Sequence, residues 1–317
     1  MNRTGHVACF AFVLLGCGAL SAPARQNPPE CGLLSAEANL VTVPVSVFDP
    51  RNRVVSHLGA ESFRVFEDGV EQRIEAVGEE DVPASIGFVL DTSGSMGVKI
   101  DLARDAILRF LKTANPDDEF FLLPFDSHPG AVTGFTSRIE DIAEQLTRLR
   151  PAGTTAMLDA IQTAFVRMRR ARHAGRAIII VSDGGDNHSR VTKTEIMRLA
   201  READVQVFTL GTYEPPATRH RTPEESTGPE LLATIAEQSG GRSFPARRLS
   251  DISDAAIRIG FELRTQYMVA YRPGNRNWDG QYRHITVETA APGFPQLHAY
   301  WRQGYYALQP RCAGATS

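Results

Sequence analysis

The chain has 317 residues, 42% of them hydrophobic and 22% charged, proportions that suit a soluble globular protein long enough for two domains. Its formal charge of -3 comes from 34 basic and 37 acidic residues interspersed along the sequence, which argues against a nucleic-acid partner. Beyond the N-terminus no apolar stretch approaches the roughly 18 to 20 residues that a membrane-spanning helix needs.

Residues 1–24 read as an export signal, with Arg3, an apolar core from Val7 to Leu15, and small residues ending in Ala22-Pro23-Ala24. The mature protein is therefore expected outside the cytoplasm, secreted or periplasmic. Leu14-Leu15-Gly16-Cys17 also resembles a bacterial lipobox, in which Cys17 would carry a lipid anchor, although Leu15 departs from that pattern; otherwise Cys17 leaves with the signal. Residues 25–38, with Pro28, Pro29 and Gly32, read as a flexible leader. Cys9 also lies in the signal, which leaves Cys31 and Cys312. An even number of cysteines in an exported chain suggests a disulfide between them, two free thiols being the alternative.

Residues 39–82 read as β structure. LVTVPVSVFD alternates apolar and polar side chains, DPRNR is a turn, and VVSHL, SFRVFEDG and VEQRIEAV are further short strands. Glu67-Asp68-Gly69 predicts a hairpin reversal, because glycine supplies the positive φ of a tight turn. From Pro83 to residue 264 strands alternate with helices. The strands are IGFVLD, EFFLLPF, RAIIIVSD, DVQVFTLGT and RSFPA, and helices are expected near 98–112, 138–149, 156–173, 193–203, 229–239 and 251–264. This alternation predicts an α/β fold, a doubly wound and mostly parallel sheet with helices on both faces. Pro124 cannot donate to a ladder, so its strand belongs toward an edge. Residues 265–310 return to β character in QYMVAYRP, QYRHITVET and LHAYWRQGYYAL, and 311–317 form a tail. Neither β segment alone supplies enough strands for a sandwich. The α/β domain is therefore expected to be inserted in one small all-β domain built from both chain ends, which a Cys31–Cys312 bridge would staple.

IGFVLDTSGSMG, residues 86–97, reads as a buried strand ending in Asp91 and turning through Thr92, Ser93, Gly94 and Ser95. One carboxylate and several hydroxyls at the end of a strand are hard oxygen donors, suited to a small hard cation. Thr155 in PAGTTAMLDAI and Asp183 in RAIIIVSDGGDN stand in loops that a doubly wound sheet would return to the same edge. Asp-x-Ser-x-Ser, then a Thr, then an Asp after a strand resembles the metal-ion-dependent adhesion site of von Willebrand factor type A domains, over roughly Pro83 to Tyr267. With F-x-V-x-E-D-G before it and a closing QY…GYYA segment, nearly the whole mature chain resembles the VWFA-related proteins abundant in acidobacteria.

The resemblance implies a von Willebrand factor A, Rossmann-like fold and a non-catalytic adhesion module. It implies that Ser93 and Ser95 bind the metal directly, and Asp91, Thr155 and Asp183 directly or through water. Mg²⁺ fits this oxygen set best, with Mn²⁺ or Ca²⁺ as substitutes, and a Glu or Asp carboxylate of a protein partner is the natural remaining ligand. It also implies an antiparallel edge strand, for which AVTGF at 131–135 is the candidate. A structural envelope scaffold with metal-independent contacts is the competing class.

Other polar residues receive plainer readings. Asp186 and Asn187 read as helix-capping or loop hydrogen-bonding groups ahead of a role in orienting waters, and Asp126 and Ser127 as a solvated turn. The loop 213–228 should open onto the metal face, where Arg219, His220 and Arg221 are partner-binding candidates or part of a solvated excursion. The basic run VRMRRARHAGR ends a helix, where cations complement its dipole, and reads as a solvated face. No catalysis is expected. Asp91-Thr92-Ser93-Gly94 lacks the glycine after Thr and the second copy that an aspartic protease needs, and neither a Gly-x-Ser-x-Gly elbow nor zinc-ligand histidine spacing occurs.

Overall fold

Among the described residues four strands come first: β1 (Val41–Phe48), β2 (Phe63–Glu67), β3 (Val70–Gln72) and β4 (Ile74–Glu79). The computed structural model describes residues 40–79, 81–212, 223–246 and 249–308. The signal peptide, Cys17, the 25–38 leader, Cys31, Arg219, His220, Arg221, Cys312 and the 311–317 tail lie outside the described residues. Four strands come last among the described residues: β10 (Tyr267–Tyr271), β11 (Tyr282–Thr289), β12 (His298–Trp301) and β13 (Gly304–Tyr306). The two sets interleave in two four-stranded sheets of order β12-β1-β10-β4 and β13-β11-β2-β3. Between them Val43, Val45, Val47, Val65, Tyr267, Val269, Tyr271, Ile285 and Val287 form one core. The alternation in β11 is the cause of its placement, since Ile285 and Val287 turn inward while His284, Thr286 and Glu288 face solvent.

Two runs that read as single strands each break in two. VEQRIEAV divides at Arg73, so that β3 pairs with β2 while β4 pairs with β10 in the other sheet. LHAYWRQGYYAL divides likewise, β12 joining β1 and β13 joining β11. A strand that switches sheets makes the corner of a sandwich, and a period of two does not reveal the switch. VVSHL is not a strand; Val54 makes only an isolated bridge to Phe48. The hairpin at Asp68 and Gly69 forms, with φ of 48° and 80°.

The chain leaves β4 and re-enters at β10, which pair side by side through Glu79 and Tyr267. Between them lies a five-stranded, all-parallel sheet of β5 (Ala84–Asp91), β6 (Glu119–Phe125), β7 (Gly175–Ser182), β8 (Gln206–Thr212) and β9 (Ser243–Ala246), in the order β6-β5-β7-β8-β9. Every residue of β5 is buried, because helices cover both faces. On one face α1 (Ile100–Leu111), α2 (Ile139–Arg148) and α6 (Leu249–Arg264) pack over Phe88, Leu90 and Phe120. On the other α3 (Met157–Met168), α4 (Lys193–Glu202) and α5 (Pro223–Gln238) pack over Val89, Phe121 and Ile180.

Pro124 lies on edge strand β6, as its missing donor requires. AVTGF forms no regular strand, although it runs beside β6 with Thr133 N–H donating to Leu122 O at 3.1 Å and Phe120 bridging Thr136. Thr133 Oγ1 takes the Leu122 N–H at 2.8 Å, so a side chain replaces part of the expected ladder. The helix expected over 156–173 ends at Met168; beyond it Arg172 turns back to Glu119, its backbone N–H 2.9 Å from that carboxylate.

Arg242, just before β9, joins the α/β unit to the sandwich. Its Nη1 lies 3.1 Å from Glu262 Oε2 of α6, and its Nη2 donates to Asn52 Oδ1 at 2.7 Å. The guanidinium stacks over Phe48 and Tyr300 of the sandwich at 4.2 and 4.5 Å from the ring centroids. Burial pushes the Glu262 carboxyl up to about 7, against the pull of Arg242.

Candidate metal centre

β5 and β7 are neighbours in the middle of the parallel sheet, and the chain leaves them in opposite directions, through α1 toward β6 and through α4 toward β8. In such sheets this reversal opens a crevice at the carboxyl ends of the strands. Asp91 is the last residue of β5 and Asp183 directly follows β7, so the topology delivers both carboxylates to that crevice.

Asp91 is completely buried. Its Oδ1 accepts the Ser93 N–H at 2.9 Å and its Oδ2 accepts the Ser182 hydroxyl at 2.6 Å. Ser182 Oγ in turn accepts the Gly184 N–H at 3.0 Å. Gly94 to Met96 form one 3₁₀ turn, and the Ser93 and Ser95 hydroxyls stand 3.1 Å apart on it. The Thr155 loop is laced to both neighbours. Gly94 N–H donates to Gly153 O at 3.1 Å and Ala152 N–H to Thr92 O at 2.8 Å. Thr155 N–H donates to Asn187 Oδ1 at 3.0 Å, and Asn187 N–H returns a bond to Thr155 O at 3.0 Å. The loops that carry Asp91, Ser93, Ser95, Thr155 and Asp183 therefore meet at one edge.

Asp186 caps α3, accepting the Met157 N–H at 2.9 Å and the Ser189 hydroxyl at 2.6 Å, in keeping with the capping expectation. Ser127 is more than a solvated turn, for its Oγ accepts the Thr154 N–H at 3.1 Å and so anchors the residue before Thr155. Lys99 is the residue that sequence reasoning missed. Its Nζ donates to Asp183 Oδ2 at 3.1 Å, and both side chains are 11% exposed. Spacing gives no sign of this, because Lys99 reads as an ordinary residue at the start of a helix.

Burial raises the Asp91 carboxyl from its ordinary 3.8 to about 6, hydrogen bonds from Ser182 and Ser93 working against the rise and the Asp183 charge adding to it. A carboxyl whose folded value lies above its unfolded value adds stability that is full below about pH 4 and is lost as pH rises through about 6. At pH 7 with chelator present, Asp91→Asn should therefore be about 1 to 3 kcal/mol more stable than the parent in urea unfolding, the gap closing toward pH 4. An equal or lower stability would show that the buried charge is fully compensated.

Among the described residues no three His, Cys, Asp or Glu side chains cluster as metal ligands. An ion at this edge would need hydroxyl donors, and the paired Ser93 and Ser95 hydroxyls beside two carboxylates supply hard oxygens of that kind. Phe165, Arg169, Gln206, Trp278 and Tyr305 help line a groove of about 1290 Å³ that also borders Ala84 and Gly175, the first residues of β5 and β7. It thus opens at the opposite ends of those strands.

Residues 86–185 match the sequence model of the von Willebrand factor type A domain, and this part of the chain is such a domain. A stretch of 193 residues is 28% identical to inter-alpha-trypsin inhibitor heavy chain H4 of Sus scrofa, covering 56% of this chain and 19% of that one. The H2 heavy chain of Homo sapiens is 25% identical over 146 residues, covering 41% of this chain and 16% of its own. The chain thus spans only about a fifth of the length of these curated relatives. Among solved structures, von Willebrand factor type A from Catenulispora acidiphila superposes with a TM-score of 0.48 at 14% identity, over 83% of this chain and 74% of that one. The PilB minor pilin from Streptococcus sanguinis gives 0.45 at 14% identity, over 59% and 62%.

Proposed function

We propose that the chain is an exported, non-catalytic binding module in which Asp91, Ser93, Ser95, Thr155 and Asp183 hold a divalent ion, Mg²⁺ by preference, that accepts an acidic side chain of a protein partner. The observation that carries this reading is the lacing of three loops around buried Asp91 at the point where the sheet reverses. Neutral hydroxyls are weak donors, so an ion held by two carboxylates and hydroxyls keeps an appetite for one more anionic oxygen. The type A region shared with the inhibitor heavy chains agrees with a binding role. The signal-like N-terminus supports the exported reading, and no helix among the described residues is long and apolar enough to cross a membrane.

Mg²⁺ should raise the melting temperature of the parent protein by several degrees, since a ligand at about a hundred times its Kd contributes about 2.7 kcal/mol. Asp91→Ala and Asp183→Ala should abolish the rise, and a protein partner captured from cell-envelope extract should be lost with chelator and with Asp91→Ala. An unchanged Mg²⁺ response in both variants would rule the site out. The second reading is a metal-independent scaffold, favoured by the Lys99–Asp183 pair, which neutralises one carboxylate without any ion. Capture of the same partner with and without chelator would establish it.

A further inference from the structure

We infer that Lys99 is an internal counter-cation of the metal edge, a positioning residue that steadies Asp183 and weakens ion binding so that a bound ion keeps positive charge for the partner's carboxylate. This rests on the metal reading above and adds a regulator to it. Lys99 precedes α1, and its backbone is held there: its N–H donates to Met96 O at 2.9 Å and its carbonyl accepts from Leu102 and Ala103 at 3.1 and 3.0 Å. From that position its side chain crosses to the end of β7 and meets Asp183, 84 positions away, at 3.1 Å. At 11% exposure on both sides this is no surface ion pair, and lysine is rarely sunk so far without a specific partner.

The charges decide the consequence. Ionised Asp91 and Asp183 carry two negative charges toward a divalent ion, and the Lys99 ammonium adds a positive charge beside one of them. Without the ammonium the edge holds one positive charge fewer. An ion held by Asp183 gains affinity, because the positive charge that faces Asp183 is gone, and the pull on a further carboxylate weakens. Even with strong screening, repulsion between a unit and a double charge at such range is worth about a factor of ten in binding.

The test uses Mn²⁺ alone, titrated calorimetrically into the full chain, for the parent, Lys99→Met, Lys99→Gln and Asp91→Ala. Both lysine variants should bind Mn²⁺ about tenfold more tightly. Acetate serves as the carboxylate probe, and the relaxation of its carbon resonances by protein-bound Mn²⁺ should fall in both. Lys99→Gln keeps a hydrogen-bond donor toward Asp183 and so separates charge from positioning if Lys99→Met folds poorly. Should the parent bind Mn²⁺, Asp91→Ala lose it, and the lysine variants bind no more tightly than the parent, the role of Lys99 is refuted while the metal site stands. A parent that binds no Mn²⁺ overturns both.

Discussion

Arg242→Ala should cost about 3 to 5 kcal/mol of stability, because it strands a buried carboxylate and removes a stack between the two parts of the chain. Glu262 is 1% exposed and Arg242 is its guanidinium partner at 3.1 Å. The same guanidinium covers Phe48 and Tyr300 of the sandwich and Phe244 of β9, so its loss also opens space between layers. The charge is the larger part of the effect. Arg242→Met with Glu262→Gln removes both charges and keeps most of the volume, and should recover more than half of the loss. Urea unfolding of the parent, single and double variants measures each value. A single variant within about 1 kcal/mol of the parent would show that Glu262 is already neutral in the folded protein, in line with its raised value.

Gly184→Ala should be nearly as damaging and should also remove the response to Mg²⁺. Gly184 follows Asp183 with φ of +84°, a region costly for any residue with a Cβ. An added Cβ would stand 2.8 Å from the backbone carbon of Gly228 in α5, and one on Gly228 would stand 2.0 Å from Gly184 O. Backbone meets backbone there, so neither side can yield by changing rotamer. Strain and overpacking together should cost about 2 to 5 kcal/mol. Relief would come by moving the loop that holds Asp183, which also bears the Gly184 N–H bond to Ser182 and, through it, Asp91. Gly134→Ala is the control, since nothing lies within 4 Å of its added Cβ. A Gly184→Ala protein that melts like the parent and still gains from Mg²⁺ would show that this loop has slack.

The central sheet was legible because its strands are buried on both faces and therefore read as unbroken apolar runs, and each carboxylate of the site closes such a run. The position of the Thr155 loop at the same edge was legible through its place before an amphipathic helix. What the sequence concealed depends on distance along the chain. The sheet switches at Arg73 and between Trp301 and Gly304 keep the local alternation while changing the partner. α5 begins at Pro223 and carries Pro229 inside it, so residues 223–228, expected to belong to the loop, are helical and the helix starts ahead of the expected 229. The Lys99–Asp183 and Arg242–Glu262 pairs are opposite charges brought together by the fold alone, and no spacing announces them.

Among the described residues the strands that flank β1 are β10 and β12, so Val41 is paired once Tyr271 is in place. The α/β unit has no such delay, as its parallel strands follow one another through single crossovers. On a growing chain β1 would lack both neighbouring strands until β10 and β12 arrive, open to pairing with other molecules. Closure of the sandwich thus needs strands from both sides of the α/β unit, and a chain cut after α6 would carry that unit without β10 to β13.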